Sequence, residues 1–131
     1  MPSIFSKIVS REISAHIIAE DEHCIAFLDI LPLARGHTLI VPKEEVDYLF
    51  DMDDDLLQKL ILFSKKMAKA IGLAVPCKRV GVAVIGLEVP HAHIHLIPLQ
   101  NVEDINFSRP KLKFTDAELT TVADEIRSHL S

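Results

Sequence analysis

Residues 91–97 read His-Ala-His-Ile-His-Leu-Ile, an imidazole at every second position with small or aliphatic side chains between. A β-strand sends successive side chains to opposite faces, so the run predicts a strand with His91, His93 and His95 in line on one face. At a rise near 3.3 Å per residue, neighbouring imidazoles stand about 6.5–7 Å apart. Ala92, Ile94 and Leu96 then turn the other way, toward a core. Three imidazoles in a row do not fill a core by themselves, because each buried ring has two polar nitrogens that need partners. Spacing alone leaves three readings open: catalysis, a metal centre of the kind imidazole builds with Zn, Cu, Fe or Ni, and a solvated histidine-rich strand.

The rest of the chain supplies strands and helices to surround that run. Residues 3–9 predict a short helix or turn with Ile4, Phe5 and Ile8 on one side. Residues 14–19 and 23–29 predict two strands separated by the turn-like Glu20-Asp21-Glu22, and 37–41 a third, stopped by Pro42. Leu56, Leu60, Phe63, Met67 and Ile71 recur at helical spacing over 54–73. Asp53 or Asp54 suits that helix's N-cap, and Gly72 marks its end. Residues 79–86 predict a further strand before the histidine run. Thr115-Asp116-Ala117-Glu118 is a capping-box sequence opening a last helix over about 115–130. Strands in runs with a helix between them predict an α+β fold on a mostly antiparallel sheet.

Composition narrows the function classes. The chain has 131 residues, 49% of them hydrophobic and 25% charged, which suits one ordinary globular domain spanning 1–131. A net charge of −5 with no basic stripe argues against nucleic acid. It leaves room for a small anionic ligand, which a few local donors can hold. Cys24 and Cys77 lie far apart without metal or disulfide spacing, which fits a reducing, cytoplasmic setting. No signal-peptide core and no apolar run long enough to span a membrane is expected.

Aligned imidazoles have a specific use in phosphoryl transfer. One neutral ring can attack phosphorus and form a phosphoramidate. A second can stabilise charge on the phosphoryl oxygens, and a third can fix a tautomer through a hydrogen bond. The run 91–97, preceded by Pro90, is similar to the His-φ-His-φ-His-φ-φ signature of the histidine-triad family. The similarity extends to Ser3–Val9 with Glu12-Ile13, to Ala26–Ile30 and to Gly36–Lys43, so that residues 3–99 form the matched core and 100–131 a C-terminal extension. The resemblance implies a HIT-like α+β fold with a five-stranded antiparallel sheet, one long helix and one C-terminal helix. It implies a homodimer with sheets joined across the interface. It also implies hydrolysis of a nucleoside monophosphate linkage, a phosphoramidate or nucleotidyl conjugate of a purine, without a cofactor.

Residue roles follow from the same resemblance. His93 would be the nucleophile, His95 the ligand of the α-phosphate, and His91 and His37 supports of the triad's geometry. Asp29 would accept hydrogen bonds from the ribose hydroxyls. Ile4, Phe5, Ile8, Phe27, Leu28 and Ile30 would line the base pocket. Three departures stand out. Ser3 and Ser6 occupy positions where some members carry a zinc-binding Cys-x-x-Cys, and serine is a poor zinc ligand, so no structural zinc is expected. The loop Val84–Pro90 is short, with Leu87 where Gln is frequent. Glu88 sits where Ser or Thr often meets the phosphate, and a carboxylate there would repel it, raise a histidine pKa or meet a cationic leaving amine. Within the enzyme class, a dinucleoside polyphosphate hydrolase is the alternative. A nucleotide-binding regulatory protein and a metal-binding protein using His91, His93 and His37 are the others. Arg109, Lys111 and Lys113 form a basic cluster in the extension, read as solvated or as reaching a phosphate or the partner subunit.

Overall fold

The computed structural model describes residues 2–130. Its five strands are β1 (Ile17–Glu20), β2 (Cys24–Leu28), β3 (Thr38–Pro42), β4 (Arg79–Ala83) and β5 (Ile94–Leu99). They form one sheet in the order β1-β2-β3-β5-β4, antiparallel throughout. Three α-helices accompany it among the described residues, α1 (Ile4–Val9), α2 (Asp54–Ala74) and α3 (Asp116–Arg127), with short 3-10 turns at Leu49–Asp51 and Val102–Ile105. The expected α+β architecture is the observed one.

Both faces of the sheet are covered, so its central strands are buried along their whole length. Alternation sorts their side chains. Cys24, Ala26 and Leu28 of β2, Ile40 of β3, and Ile94 and Leu96 of β5 pack against α2 and α3 in the larger core. Ile25, Phe27, Leu39 and Val41 point to the other face and meet Phe5 and Ile8 of α1. Burying the large apolar side chains of the larger side, fourteen among the described residues, at about 1.5–3 kcal/mol each, supplies most of the force that holds the layers together.

The helix ends follow local chemistry. The Asp53 carboxylate accepts from the Leu56 N–H at 2.8 Å and caps α2, as its sequence position predicts. The helix does not stop at Gly72. It runs two residues further and ends at Val75, which is extended, ahead of Pro76. Thr115 and Glu118 close the expected capping box on α3.

The strand predicted over 91–97 is shifted. β5 begins at Ile94, and His91 and His93 lie in the loop that enters it. The reason lies across the ladder. The β3–β5 register pairs Ile40 with Ile94, and continuing it would bring Pro42 into the pairing. Pro42 has no N–H to offer. The Ala92 N–H donates instead to the Val46 carbonyl at 2.7 Å, and the Pro42 carbonyl is taken by the His91 ring. β4 is likewise shorter than its predicted span. It ends at Ala83, and Val84 to Glu88 run on as an exposed loop with Gly86 at φ +72°.

Candidate active site

Five rings run in a row on the α1 face of the sheet. Phe27 meets Phe5 edge-on at 5.5 Å between centroids, Phe5 meets His93 at 4.9 Å, His93 meets His95 at 4.8 Å, and His95 meets Phe107 at 4.7 Å. His93 and His95 are therefore closer together than an ideal strand would hold them. His91 stands aside from the row, against Phe5 at 5.8 Å. His37, His91, His93 and His95 are all buried.

Hydrogen-bond partners fix which nitrogen of each ring carries its proton, because carbonyls only accept and amides only donate. His93 Nδ1 lies 2.8 Å from the His91 carbonyl oxygen and so donates its proton there. Its Nε2 is left with a free lone pair when the ring is neutral. The Leu33 N–H donates to His37 Nδ1 at 3.0 Å, which places the His37 proton on Nε2. That proton is donated to His95 Nδ1 at 2.9 Å. His95 must then carry its own proton on Nε2, where it can donate to a ligand. A ring with a free lone pair beside a ring that presents a donor can attack an electrophilic centre and stabilise the charge that develops on it.

Burial keeps the relay neutral. It pushes the His37 pKa down to about 3, with His95, Lys111 and His93 adding to the shift. It pushes His95 down to about 4, with His93 contributing. His91 is also lowered by burial, against the opposing pull of its bond to the Pro42 carbonyl and of Glu45. Burial raises the Asp29 carboxyl above its usual range, although the Leu31 N–H, His93 and Lys111 favour its charged form.

The turn between β2 and β3 delivers Asp29 and His37 to the same spot. The Asp29 N–H donates to the His37 carbonyl, extending the ladder by one pair. Asp29 Oδ1 accepts from Leu31 N–H at 2.9 Å, and Oδ2 stands 3.6 Å from His37 Nε2. Gly36 makes the return possible at φ +91°, and a Cβ there would lie 2.9 Å from a Val75 methyl. Asp29, His37 and His95 present ligand atoms within 4.8 Å of one another, a spacing that could suit a metal. The donor set argues otherwise: His37 Nε2 bears the proton that Leu33 forces onto it, and a metal would need that lone pair.

His91 is held from behind. Its Nε2 donates to the Pro42 carbonyl at 2.8 Å, so its Nδ1 accepts from the Ser3 hydroxyl at 2.7 Å. Ser3 Oγ in turn accepts from the Ser6 N–H, and Glu45 accepts from the Ser3 N–H and the Ser6 hydroxyl. These bonds join Ser3 and Ser6 to His91 and Glu45 in one hydrogen-bond network.

The remaining predicted residues divide. Phe5, Ile8 and Phe27 are buried on the histidine face, while Ile4 and Ile30 are exposed at its rim, 49% and 64% accessible. Leu28 points through the sheet into the core under α2, as alternation next to Phe27 requires. Glu88 is exposed on its loop, and its charge raises the Asp29 pKa. Two contributors were not singled out from the sequence. Glu45 left no signal, since nothing in one sequence pairs it with Ser3. Phe107 had a weak one, as an aromatic just ahead of the basic cluster in an otherwise polar stretch.

The chain is similar to several known proteins. The model of the HIT domain matches residues 10–102. An adenosine 5′-monophosphoramidase of Schizosaccharomyces pombe is 31% identical over 132 residues, covering 99% of both chains. An uncharacterised HIT-like protein of Methanocaldococcus jannaschii is 40% identical, over 72% of this chain and 77% of its own. The crystal structure of a Hit-like protein involved in cell-cycle regulation from Bartonella henselae superposes with a TM-score of 0.86 at 32% identity, over 98% of this chain and 96% of the other. A zinc-bound histidine-triad family protein from Mycobacterium smegmatis superposes at 0.83 with 26% identity, over 97% and 91%. With the family model spanning most of the chain and the triad assembled as described, the chain belongs to the HIT family.

Proposed function

We propose that this protein hydrolyses a nucleoside monophosphate linkage, a phosphoramidate or nucleotidyl conjugate of a purine, through a nucleotidyl–His93 intermediate. The observation that carries the reading is the fixed proton pattern: a lone pair on His93 Nε2 beside a proton on His95 Nε2. His93 Nε2 attacks the α-phosphorus, and a P–N bond forms as the bond to the leaving amine breaks. The amine departs with the bonding pair and takes up a proton from solvent, leaving the nucleotidyl group on His93 Nε2. His95 Nε2–H donates to a phosphoryl oxygen as charge builds there. Water then attacks phosphorus and loses a proton to solvent, the P–N bonding pair returns to His93 Nε2, and the nucleoside 5′-monophosphate is released. Asp29 receives the ribose hydroxyls, and Phe5, Ile8 and Phe27 with the rim residues Ile4 and Ile30 accommodate the base. The name of the S. pombe relative, an adenosine 5′-monophosphoramidase, supports a phosphorus–nitrogen bond and an adenine base.

Residues 2–130 act in this reading as one unit, because α3 shares its core with the sheet. Both cysteines are free, in keeping with a reducing, cytoplasmic setting. A homodimer is the assembly we infer. β4 is an open edge with Val82 exposed, and Ile61, Leu62 and Leu73 stand exposed on α2. No described helix is long and apolar enough to cross a membrane.

A second reading, a nucleotide-binding protein with little turnover, is favoured by one observation. The loop before the triad presents Leu87, 86% exposed, and Glu88 where neutral donors to a phosphate would be useful. Release of nucleoside monophosphate from adenosine and guanosine phosphoramidates and from dinucleoside polyphosphates decides between them. Turnover of the phosphoramidates by the wild type and none by His93→Ala supports the hydrolase. Binding of a nucleoside monophosphate without turnover of any substrate supports the second reading.

A further inference from the structure

We propose that Phe107, carried on segment 106–112 of the C-terminal extension, is a positioning residue that fixes the imidazole of His95. The inference rests on the roles of His93 and His95 given above. Among the described residues the His95 ring has a single hydrogen bond, from His37 to its Nδ1. One bond at one ring atom leaves the plane free to rock about it. Three rings restrain that motion: His37 at 5.2 Å, His93 at 4.8 Å and Phe107 at 4.7 Å, the last inclined at 72°. Phe107 also meets His37 edge-on at 6.2 Å and 86°, so it touches both members of the relay. Edge-to-face packing of this kind has a preferred geometry and not merely an area.

The segment is built to hold that ring in place. The Leu112 N–H donates to the Pro32 carbonyl at 2.8 Å, which fastens the segment to the turn bearing Asp29 and His37. Lys111 Nζ donates to the carbonyls of Phe107 and Arg109, at 2.5 and 3.1 Å, and folds the segment onto itself. Ser108, Arg109 and Pro110 are exposed while Phe107 is half-buried, so the one aromatic of the segment is turned inward against the histidines.

The test compares Phe107→Ala, Phe107→Leu and Phe107→Tyr with the wild type by steady-state kinetics on an adenosine phosphoramidate and by imidazole ¹⁵N spectroscopy of His95. Loss of the ring should lower kcat about ten- to a hundredfold while KM stays within about threefold, because the misplaced group acts after binding. As the unsupported ring drifts off its bond to His37, the ¹⁵N pattern of His95 should move from a single Nε2–H tautomer toward an average of two. Tyr, which keeps the ring, should restore both readouts, and Leu, which keeps the apolar volume alone, should not. Wild-type kcat and unchanged His95 shifts in folded Phe107→Ala would overturn the proposal. Should that variant fail to fold, the same result in Phe107→Leu would overturn it. If the wild type turns over nothing, the functional reading falls, and the ¹⁵N comparison still decides the role of Phe107.

Discussion

At the scale of single residues, the site is a set of protons held in chosen places. His37 and His95 stay neutral in the folded chain, with pKa values near 3 and 4, whereas an unfolded histidine takes a proton below about 6.5. Below that pH the unfolded state binds more protons, so acid favours it. Stability should be full above about pH 6.5 and fall as pH drops toward 4, by up to about 1.4 kcal/mol per unit for each ring. Urea midpoints across that window check this, and His37→Asn should flatten the slope. An unchanged slope would mean that burial does not hold these rings neutral. Ser3 offers a second prediction. Ser3→Ala removes the donor to buried His91 Nδ1 and should cost about 1–3 kcal/mol in denaturant unfolding. A variant as stable as the wild type would show that the Ser3–Glu45 network holds nothing in place.

At the scale of elements, the turn between β2 and β3 does the positioning. Arg35 makes two bonds to Glu125, at 2.9 and 3.0 Å, which tie that turn to α3. Gly36 is its tight point. Gly36→Ala would meet both a left-handed φ and the Val75 methyl, and should destabilise by about 1–3 kcal/mol. Equal thermal midpoints for the two proteins would contradict that account. Much at this scale was legible beforehand, because it depends on local rules: the Asp53 cap, the Thr115 capping box, the apolar stripe of α2 and the inward set Ala92, Ile94 and Leu96. Other features were not, because they depend on partners distant in sequence. β5 starts late because Pro42 lies across the ladder. The tautomer of His93 is set by the backbone of His91, where its side chain was the natural guess. Glu45 and Phe107 reach the histidines only once the chain has folded.

At the scale of the whole molecule, two features point outward. β4 ends the sheet without a neighbour, and α2 leaves Ile61, Leu62 and Leu73 in solvent. An open, partly apolar edge of this kind is a template for pairing. Sedimentation should give twice the chain mass for the wild type and a single chain mass for Val82→Lys, which charges that edge. A monomeric wild type would contradict the inferred dimer.

The central claim, that His93 carries the nucleotide between the two chemical steps, can be tested by trapping. Protein quenched in alkali during turnover of an adenosine phosphoramidate should carry one added nucleotidyl group, located by peptide mass spectrometry on His93. The adduct should vanish in His93→Ala together with turnover. Undiminished hydrolysis by His93→Ala, or an adduct found on another residue, would contradict the account.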